Sequence, residues 1–232
     1  MPTTPRARAR AQTMNDIVRI GREHLASEGA AALSLRAVAR DLGVVSSAVY
    51  RYVRSRDELL TLLVIDGYNA LGDAVDADLA AAADDPIEQI RTLCHSVRRW
   101  AQAEPARYGL LFGTPVPGYD APAEQTMTPG TRVITTLQGL FARAYLAGQL
   151  TTPQPEPAVS ATLAADFDRI REEFELPLPD WLFARGITFW ASLFGAVSAD
   201  VFDMYGTDTF TDRTDLFDQQ VDALLDMLGH RR

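Results

Sequence analysis

The sequence predicts an all-α protein. Apolar residues recur at three- and four-residue spacing through most of the chain, whereas the alternation typical of β-strands is nearly absent. Helix caps and helix-ending glycines or prolines divide this pattern into about ten segments. With 232 residues, 47% of them hydrophobic and 23% charged, the chain can form one large domain or two smaller ones. We expect a three-helix N-terminal domain with a helix-turn-helix, followed by a larger helical domain.

The N-terminal quarter contains the signals for three helices. Residues 1–12 are basic and lack helical periodicity, which predicts a flexible arm. A first helix is expected from about Asn15 to Glu28, where apolar residues fall at helical spacing. Ser34 is placed to cap a second helix, which Gly43 ends. A short third helix is then expected over about 46–52, and residues 13–60 are predicted to form the first domain.

The remaining signals predict seven more helices, in a second domain over residues 61–232. The segment Ser55 to Glu58 has the capping-box pattern and opens a long fourth helix, expected over about 56–82. Asp85-Pro86 starts the fifth helix, with aspartate as the cap and proline at the first position. Glycines and prolines make residues 113–126 a loop. The other helices are expected at about 106–112, 129–148, 158–174, 180–205 and 213–228.

Composition limits the class of protein. No run of apolar residues reaches the length of a membrane-spanning helix, and no apolar segment follows the N-terminal arginines as in a secretory signal. The single cysteine, Cys94, excludes an internal disulfide, so we expect a cytoplasmic protein. Neither a cofactor nor a metal site is predicted. Cys94-His95 is interpreted as part of a helix, because the other two histidines lie far away in sequence and no ligand spacing is present.

The charge is distributed unevenly. The net charge is −9, yet residues 1–60 contain ten arginines and six acidic residues, whereas the rest contains twelve basic and 25 acidic residues. Only the N-terminal quarter is therefore suited to a polyanion such as nucleic acid. Arg6, Arg8 and Arg10 are open to two interpretations, a solvated tail or an arm that enters the minor groove of DNA.

The most informative segment is Ser34 to Leu60. Two short helices are joined by a turn at Gly43. The small apolar residues that can hold them at a fixed angle are Val38, Ala39, Leu42, Val44 and Val49. The second of these helices would then expose hydroxyl and guanidinium donors, which suit phosphate oxygens and base edges. The residues predicted to contact DNA are Ser34, Arg36, Ser46, Ser47, Tyr50, Arg51, Tyr52, Arg54 and Arg56.

These residues resemble the TetR family of bacterial transcriptional regulators. The resemblance is carried by Ser34 to Ala39, by Leu42-Gly43-Val44, by Val49 to Val53 and by Arg56 to Leu60, with about twenty positions in register. It implies a homodimer that binds a palindromic DNA operator, with repression as the usual outcome and a small-molecule effector that changes DNA binding. One position departs from the family pattern, since Val45 stands where a helix-capping serine is usual. Either Ser46 caps the helix one residue later or the cap is lost, at about 1 kcal/mol.

The second domain carries a weaker resemblance to one TetR subgroup. Trp190 to Gly195 is similar to a Trp-x-x-x-His-Gly signature, although Phe194 replaces the histidine, and Tyr108 to Tyr119 is similar as well. A largely apolar effector is expected among aromatic residues of this domain, with loop 113–126 as an entrance or lid. The residues predicted to line that site are Trp100, Tyr108, Phe112, Phe141, Trp190 and Phe194.

The last two helices are predicted to form the dimer interface. Apolar residues recur every three to four positions in both, and two edge helices cannot bury all of these on one subunit. The predicted interface residues are Leu182, Gly186, Phe189, Leu193, Val197, Val201, Val221, Leu224 and Leu228. Two other classes of function were weighed, a helical-bundle enzyme or carrier and a protein-interaction module. No catalytic constellation supports the first, and the second leaves the segment Tyr50 to Arg56 unexplained.

Overall fold

The computed structural model describes residues 4–230, and these fold as the sequence predicts, into ten α-helices. The described range holds no strand, only an isolated antiparallel bridge between Leu150 and His230. A single turn of 3-10 helix, Ala30–Ala32, follows the first helix. The helices are α1 Pro5–Glu28, α2 Leu35–Asp41, α3 Ser46–Val49, α4 Arg56–Ala81, α5 Pro86–Ala103, α6 Pro105–Phe112, α7 Ala123–Leu146, α8 Ala161–Phe174, α9 Asp180–Val201 and α10 Arg213–Met227.

The chain forms two compact units. Unit 1 comprises residues 1–70 and 103–130, and unit 2 comprises residues 71–102 and 131–232. This division differs from the predicted boundary after residue 60, because α6 and the loop that follows it return to the N-terminal unit. Helices α4 and α7 each run from one unit into the other.

Helix α1 begins ten residues earlier than predicted. Thr4 caps it, since its Oγ1 accepts a hydrogen bond from the backbone N–H of Ala7 at 3.2 Å, and Pro5 occupies the first turn. Residues 5–12 are therefore helical rather than an aperiodic arm, while residues 1–3 of that predicted arm lie outside the described residues. The buried residues of α1 begin only at Ile17, so the N-terminal half of this helix is exposed.

The core of unit 1 is apolar and continuous. It joins α1, α2, α3 and the first turns of α4 through fully buried aliphatic side chains, among them Ile17, Val38 and Leu59. Val116 and Tyr119 of the loop after α6 pack against this core, and the Tyr119 hydroxyl lies 3.1 Å from Thr61 Oγ1. Loop 113–126 was predicted as an entrance or lid. Within it Val116 and Tyr119 are the residues that pack on the N-terminal core, and α7 begins at Ala123, inside the predicted loop.

The capping signals predicted for the long helices are present. Ser55 Oγ accepts the backbone N–H of Glu58 at 3.1 Å, and Asp85 Oδ1 accepts that of Glu88 at 3.0 Å. Glu58 departs from the usual capping box, because its carboxylate accepts the backbone N–H of Arg54 at 2.6 Å rather than that of the cap residue.

The core of unit 2 corrects the predicted dimer interface. Leu182, Phe189, Leu193 and Val197 of α9 are 0% exposed, so they pack inside one subunit. Gly186, Val221 and Leu228 are buried as well, and only Val201 and Leu224 are partly exposed. Because apolar residues such as Ile187 and Ala191 also lie on the exposed side of α9, the apolar spacing in the sequence did not distinguish the inward face from the outward one.

The aromatic residues predicted to line a ligand site are divided between the units. Tyr108 and Phe112 lie in unit 1, where their ring centroids are 5.2 Å apart. In unit 2, Phe141 packs on Phe189 at 5.1 Å. Trp190 packs on Phe194 at 4.2 Å, and Trp100 is buried. The two cavities described in unit 2 are lined by other residues.

Helix α9 is long and apolar enough to cross a membrane, contrary to the expectation that no such segment exists. Its mean hydropathy over 18 residues is 1.3, and 39% of that window is buried. Arg185 in its second turn donates a hydrogen bond to the backbone oxygen of Met227 at 2.6 Å. Core helices pass the same test of length and composition, and the packing of α9 on α10 gives it that role.

Candidate nucleic-acid interface

The turn between α2 and α3 is built around Gly43. Its φ of +72° is unfavourable for residues with a side chain, and glycine adopts it readily. This conformation lets the backbone N–H of Val44 donate to the backbone oxygen of Ala39 at 3.0 Å, which closes the end of α2. Ala39 and Val49 are each 1% exposed, so the two helices share a dry contact. The turn thereby holds α3 at a fixed orientation on α2.

One face of α3 and its C-terminal end is exposed. With Val49 turned into the core, Ser47 and Arg51 are exposed, and the Tyr50 side chain is 45% exposed. Ser46, also predicted to bind, is half-buried. The exposed groups are two hydroxyls and a guanidinium, which donate hydrogen bonds to phosphate oxygens and to acceptors on base edges.

A concave patch lies beside this face. It has a volume of about 330 Å³ and is lined by the start of α2, by Tyr50 and by Arg56. Arg36 extends from the first turn of α2 and is exposed. Ser34 stands at the N-cap position as predicted, but its side chain makes no capping hydrogen bond. The Ser34 hydroxyl and the Arg36 guanidinium thus flank the same concave surface.

Arg54 and Arg56 differ in their surroundings. Arg54 is exposed, as predicted for a phosphate contact. Arg56 is half-buried, and its Nη2 donates to the backbone oxygens of Ala30 at 2.9 Å and Ala31 at 3.3 Å. It therefore ties the start of α4 to the 3-10 turn after α1, a role that the sequence did not reveal because the partners are backbone atoms.

Tyr52 packs behind the candidate interface rather than on its exposed surface. Its side chain is half-buried and packs against the core of unit 1. The guanidinium carbon of Arg10 lies 5.1 Å from the centroid of the Tyr52 ring, which is a cation–π distance. Arg6 is one turn earlier on the same side of α1, so the two arginines form one basic stripe on this helix.

A hydrogen-bonded pair joins the end of α2 to α1. His24 of α1 is 7% exposed, and its Nε2 lies 2.6 Å from Asp41 Oδ2 at the end of α2. The hydrogen bond with His24, and after it the one from Arg40, lowers the pKa of Asp41 below its ordinary value of 3.8. Neither His24 nor Asp41 was predicted as functional, and the pair serves to position α2.

The N-cap of α3 is lost. Val45 occupies that position with no side-chain capping bond, and Ser46 is the first helical residue. Val45 is 71% exposed and Val44 is 41% exposed. Val44 was expected to pack between the helices, but the turn directs it outward. The sequence showed the missing cap serine but assigned Val45 no role of its own.

Two family models match the chain. The model described as "Bacterial regulatory proteins, tetR family" matches residues 13–63, and the model described as "Tetracyclin repressor-like, C-terminal domain" matches residues 90–224. The first match contains all of the predicted DNA contacts from Ser34 to Arg56. A curated relative, the HTH-type transcriptional regulator Rv1816 of Mycobacterium tuberculosis, is 43% identical over 227 residues, which cover 95% of this chain and 94% of the relative.

Solved structures agree with the fold. The crystal structure of a regulatory protein, SCO4313, is 33% identical to the chain, with a TM-score of 0.75 over 96% of this chain and 100% of the other. A Rhodococcus sp. RHA1 protein of unknown function is 18% identical, with a TM-score of 0.70 over 94% of this chain and 95% of that one, and supports the fold alone.

Proposed function

The chain belongs to the TetR family of transcriptional regulators, and on this premise we propose that it is a cytoplasmic repressor that binds a palindromic operator as a homodimer. The family consists of DNA-binding regulators rather than enzymes. A small, largely apolar effector would release the repressor from DNA. The observation that carries the proposal is the exposed side of α3 and its C-terminal end, where Ser47, Tyr50 and Arg51 point away from the core. Val49 on the opposite side is buried and holds the helix in place.

The exposure and hydrogen-bond partners of each side chain on this surface determine the DNA contact that we assign to it. Arg51 is assigned to a base edge, because a guanidinium can donate two hydrogen bonds to the O6 and N7 atoms of guanine. Tyr50, Arg36 and Arg54 are assigned to phosphates, where their contacts fix register without reading sequence. Arg56 is assigned mainly to holding the start of α4, since two backbone oxygens already accept its hydrogen bonds.

The proposed dimer rests on the uncovered side of α9. Ile187 is 43% exposed, and Ala191, Ser192 and Gly195 are exposed too. A Cβ atom added at Gly195 would meet nothing within 4 Å in one subunit, which leaves room for another helix. An apolar helix with only 39% of its window buried has more apolar surface than one subunit covers. We assign this face to a four-helix bundle of α9 and α10 with their copies.

The effector is assigned to the aromatic interior of unit 2. Gln138 of α7 is 3% exposed, and within the described residues its Oε1 has no hydrogen-bond partner. A buried acceptor without a donor is costly and is normally satisfied by water or a ligand. With Phe141 one turn away, this atom favours an apolar effector that carries one hydrogen-bond donor.

Helix α4 is the proposed link between effector and DNA. It starts at Arg56 beside the recognition surface, and its last eleven residues belong to unit 2. An effector weakens DNA binding only if it prefers the conformation that does not bind DNA, and DNA must then weaken effector binding by the same factor. Couplings of this kind are typically about 1–3 kcal/mol.

The test is selection of duplexes from a random pool by the full-length protein, followed by titration of the selected operator. We expect an inverted repeat with two half-sites about one helical turn apart, or a multiple of that spacing. Binding should weaken steeply with salt, because each phosphate contact releases counterions. Failure to enrich any sequence at low salt would refute the proposed function.

A further inference from the structure

The fold does not explain why a valine occupies position 45. It is the N-cap residue of α3, with φ −68° and ψ 144°, and its side chain is 71% exposed. Serine, threonine, aspartate or asparagine at such a position would accept a hydrogen bond from the helix, which valine cannot do. The core contacts of this segment come from Val38 and Val49 instead. Val45 thus contributes neither a cap nor core packing in the free protein.

The position of Val45 in the fold indicates that it lies close to bound DNA. It directly precedes Ser46 and Ser47, at the start of the short helix α3, and Arg51 follows the end of that helix on its exposed side. Any duplex that Arg51 contacts through its base edges also approaches the residue at the start of the same short helix, where base contacts by recognition helices concentrate. Val44, 41% exposed, adds a second apolar side chain beside it.

The major groove offers one apolar group to such a side chain. Among the base edges exposed there, only thymine carries a methyl group, whereas the others present hydrogen-bond donors and acceptors. We propose that Val45 is a specificity-determining residue that packs against the C5-methyl group of a thymine in each half-site of the operator. The inference rests on the proposed DNA-binding function and adds a chemical identity for one base of the site.

The experiment replaces the thymines of the selected operator one at a time with deoxyuridine, which differs only by the missing methyl group. For the wild-type protein we expect about a fourfold loss of affinity at one thymine of a half-site, the fold-change that corresponds to about 0.8 kcal/mol for one buried methyl group. For Val45→Ala we expect weaker binding to the natural operator and no further loss at that deoxyuridine.

A second variant separates contact from folding. Val45→Ser restores a capping hydroxyl, so the protein without DNA should melt at the same or a higher temperature while its sensitivity to deoxyuridine is lost. The control is Leu146→Ala at the end of α7 in unit 2, where the leucine is 73% exposed. This variant should keep the full methyl dependence.

The outcomes distinguish this inference from the function on which it rests. A protein that selects no operator refutes the proposed function and the inference together. A protein that binds its operator tightly but is indifferent to deoxyuridine at every thymine overturns the inference alone. So does a methyl dependence that persists unchanged in both Val45 variants, or an operator whose half-sites contain no thymine.

Discussion

Arg51 and Arg56 show how two arginines five positions apart acquire different roles. Arg51 lies beyond the end of α3 on its exposed side, so its whole hydrogen-bonding capacity is directed outward. Arg56 lies half-buried at the start of α4, with its Nη2 on two backbone oxygens. A single sequence shows both as basic residues of one segment, because the backbone partners of Arg56 lie 25 and 26 positions earlier in the chain.

Replacing Arg51 with alanine should weaken operator binding by about 1–3 kcal/mol and relax the preference at one base position, if the guanidinium makes a bidentate contact with guanine. Fluorescence anisotropy with the operator and its single-base variants measures both effects. Arg169→Ala provides a control of equal charge, since Arg169 is a 72% exposed residue of α8. Unaltered affinity and unaltered preference in Arg51→Ala would exclude Arg51 from base recognition.

Arg56→Ala should lower the free energy of unfolding by about 1–3 kcal/mol, because hydrogen bonds from a charged donor are lost. Arg54→Ala should change stability by less than about 0.5 kcal/mol, since Arg54 is exposed. In DNA binding, Arg54→Ala should reduce the slope of log affinity against log salt by about one. Denaturant unfolding and salt titrations test the pair, and equal stabilities for the two variants would contradict the assignment.

The His24–Asp41 pair predicts an acid-dependent contribution to stability. The pKa of Asp41 is lowered in the folded state by the hydrogen bond with His24, then by that from Arg40. The contribution is therefore present above 3.8, the ordinary value, and is lost as pH falls through the lower folded pKa. Asp41→Asn should melt at a lower temperature than wild type at pH 6, with the difference shrinking below pH about 4. A constant difference across this range would refute the linkage.

At the scale of elements, the sequence predicted the helices that have a periodic apolar face and missed the helical turns and loop contacts that have none. The segment Arg6 to Arg10 has no apolar periodicity, yet Thr4 and Pro5 supply a cap and a favourable first turn, so α1 begins at Pro5. Loop 113–126 was identified by its prolines and glycines, but its packing on the core of unit 1 depends on long-range contacts such as Tyr119 with Thr61. Local signals cannot specify such a partner.

Two glycines inside helices should respond differently to replacement by alanine. At Gly186 a Cβ would lie 2.5 Å from Oε1 of Gln138, which is buried and cannot move aside. At Gly72 the nearest atom, 2.7 Å away, belongs to Arg132, a half-exposed side chain that can swing outward. Gly186→Ala should therefore cost about 1–3 kcal/mol by overpacking.

Gly72→Ala is the matched control for the same substitution in α4. The gain in helix propensity, about 1 kcal/mol, should roughly offset the weakened ion pairs of Arg132 with Asp73 and Asp76, which are worth under about 1 kcal/mol each at the surface. Thermal unfolding of both variants measures the two changes in stability. Equal destabilisation would show that Arg132 does not swing aside and that packing constrains Gly72 as it does Gly186.

For the whole molecule, the sequence predicted the family and the N-terminal surface but not the outward side of α9. The helix-turn-helix is specified by local signals within a short segment, such as the turn glycine Gly43 and the apolar residue Val49, so a single sequence is enough to predict it. Helix α9 carries apolar residues on its inward and its outward side, so periodicity alone assigned Leu182 and Leu193 to the interface between subunits. The structure has both in the core of one subunit. Burial reassigns the proposed interface to Ile187, Ala191 and Gly195.

This reassignment gives the last prediction. Ile187, Ala191 and Gly195 follow one another at four-residue spacing, so they form a single stripe along α9. A glutamate at the middle position, Ala191→Glu, would bring two uncompensated charges into the seam between the subunits, which an interface core excludes. Sedimentation of the wild type should show a dimer at micromolar concentration, and the variant should be largely monomeric with unchanged helix content.

The control is the same substitution at Ala165, an exposed residue of α8 outside the proposed bundle, which should leave the dimer intact. DNA binding offers a second readout, because a dimer engages both half-sites of a palindrome at once and a monomer engages one. Ala191→Glu should therefore bind the full operator little better than a single half-site, while its affinity for the half-site equals that of the wild type. A wild-type protein that sediments as a monomer, or a variant that remains dimeric, would show that this stripe of α9 does not join the subunits.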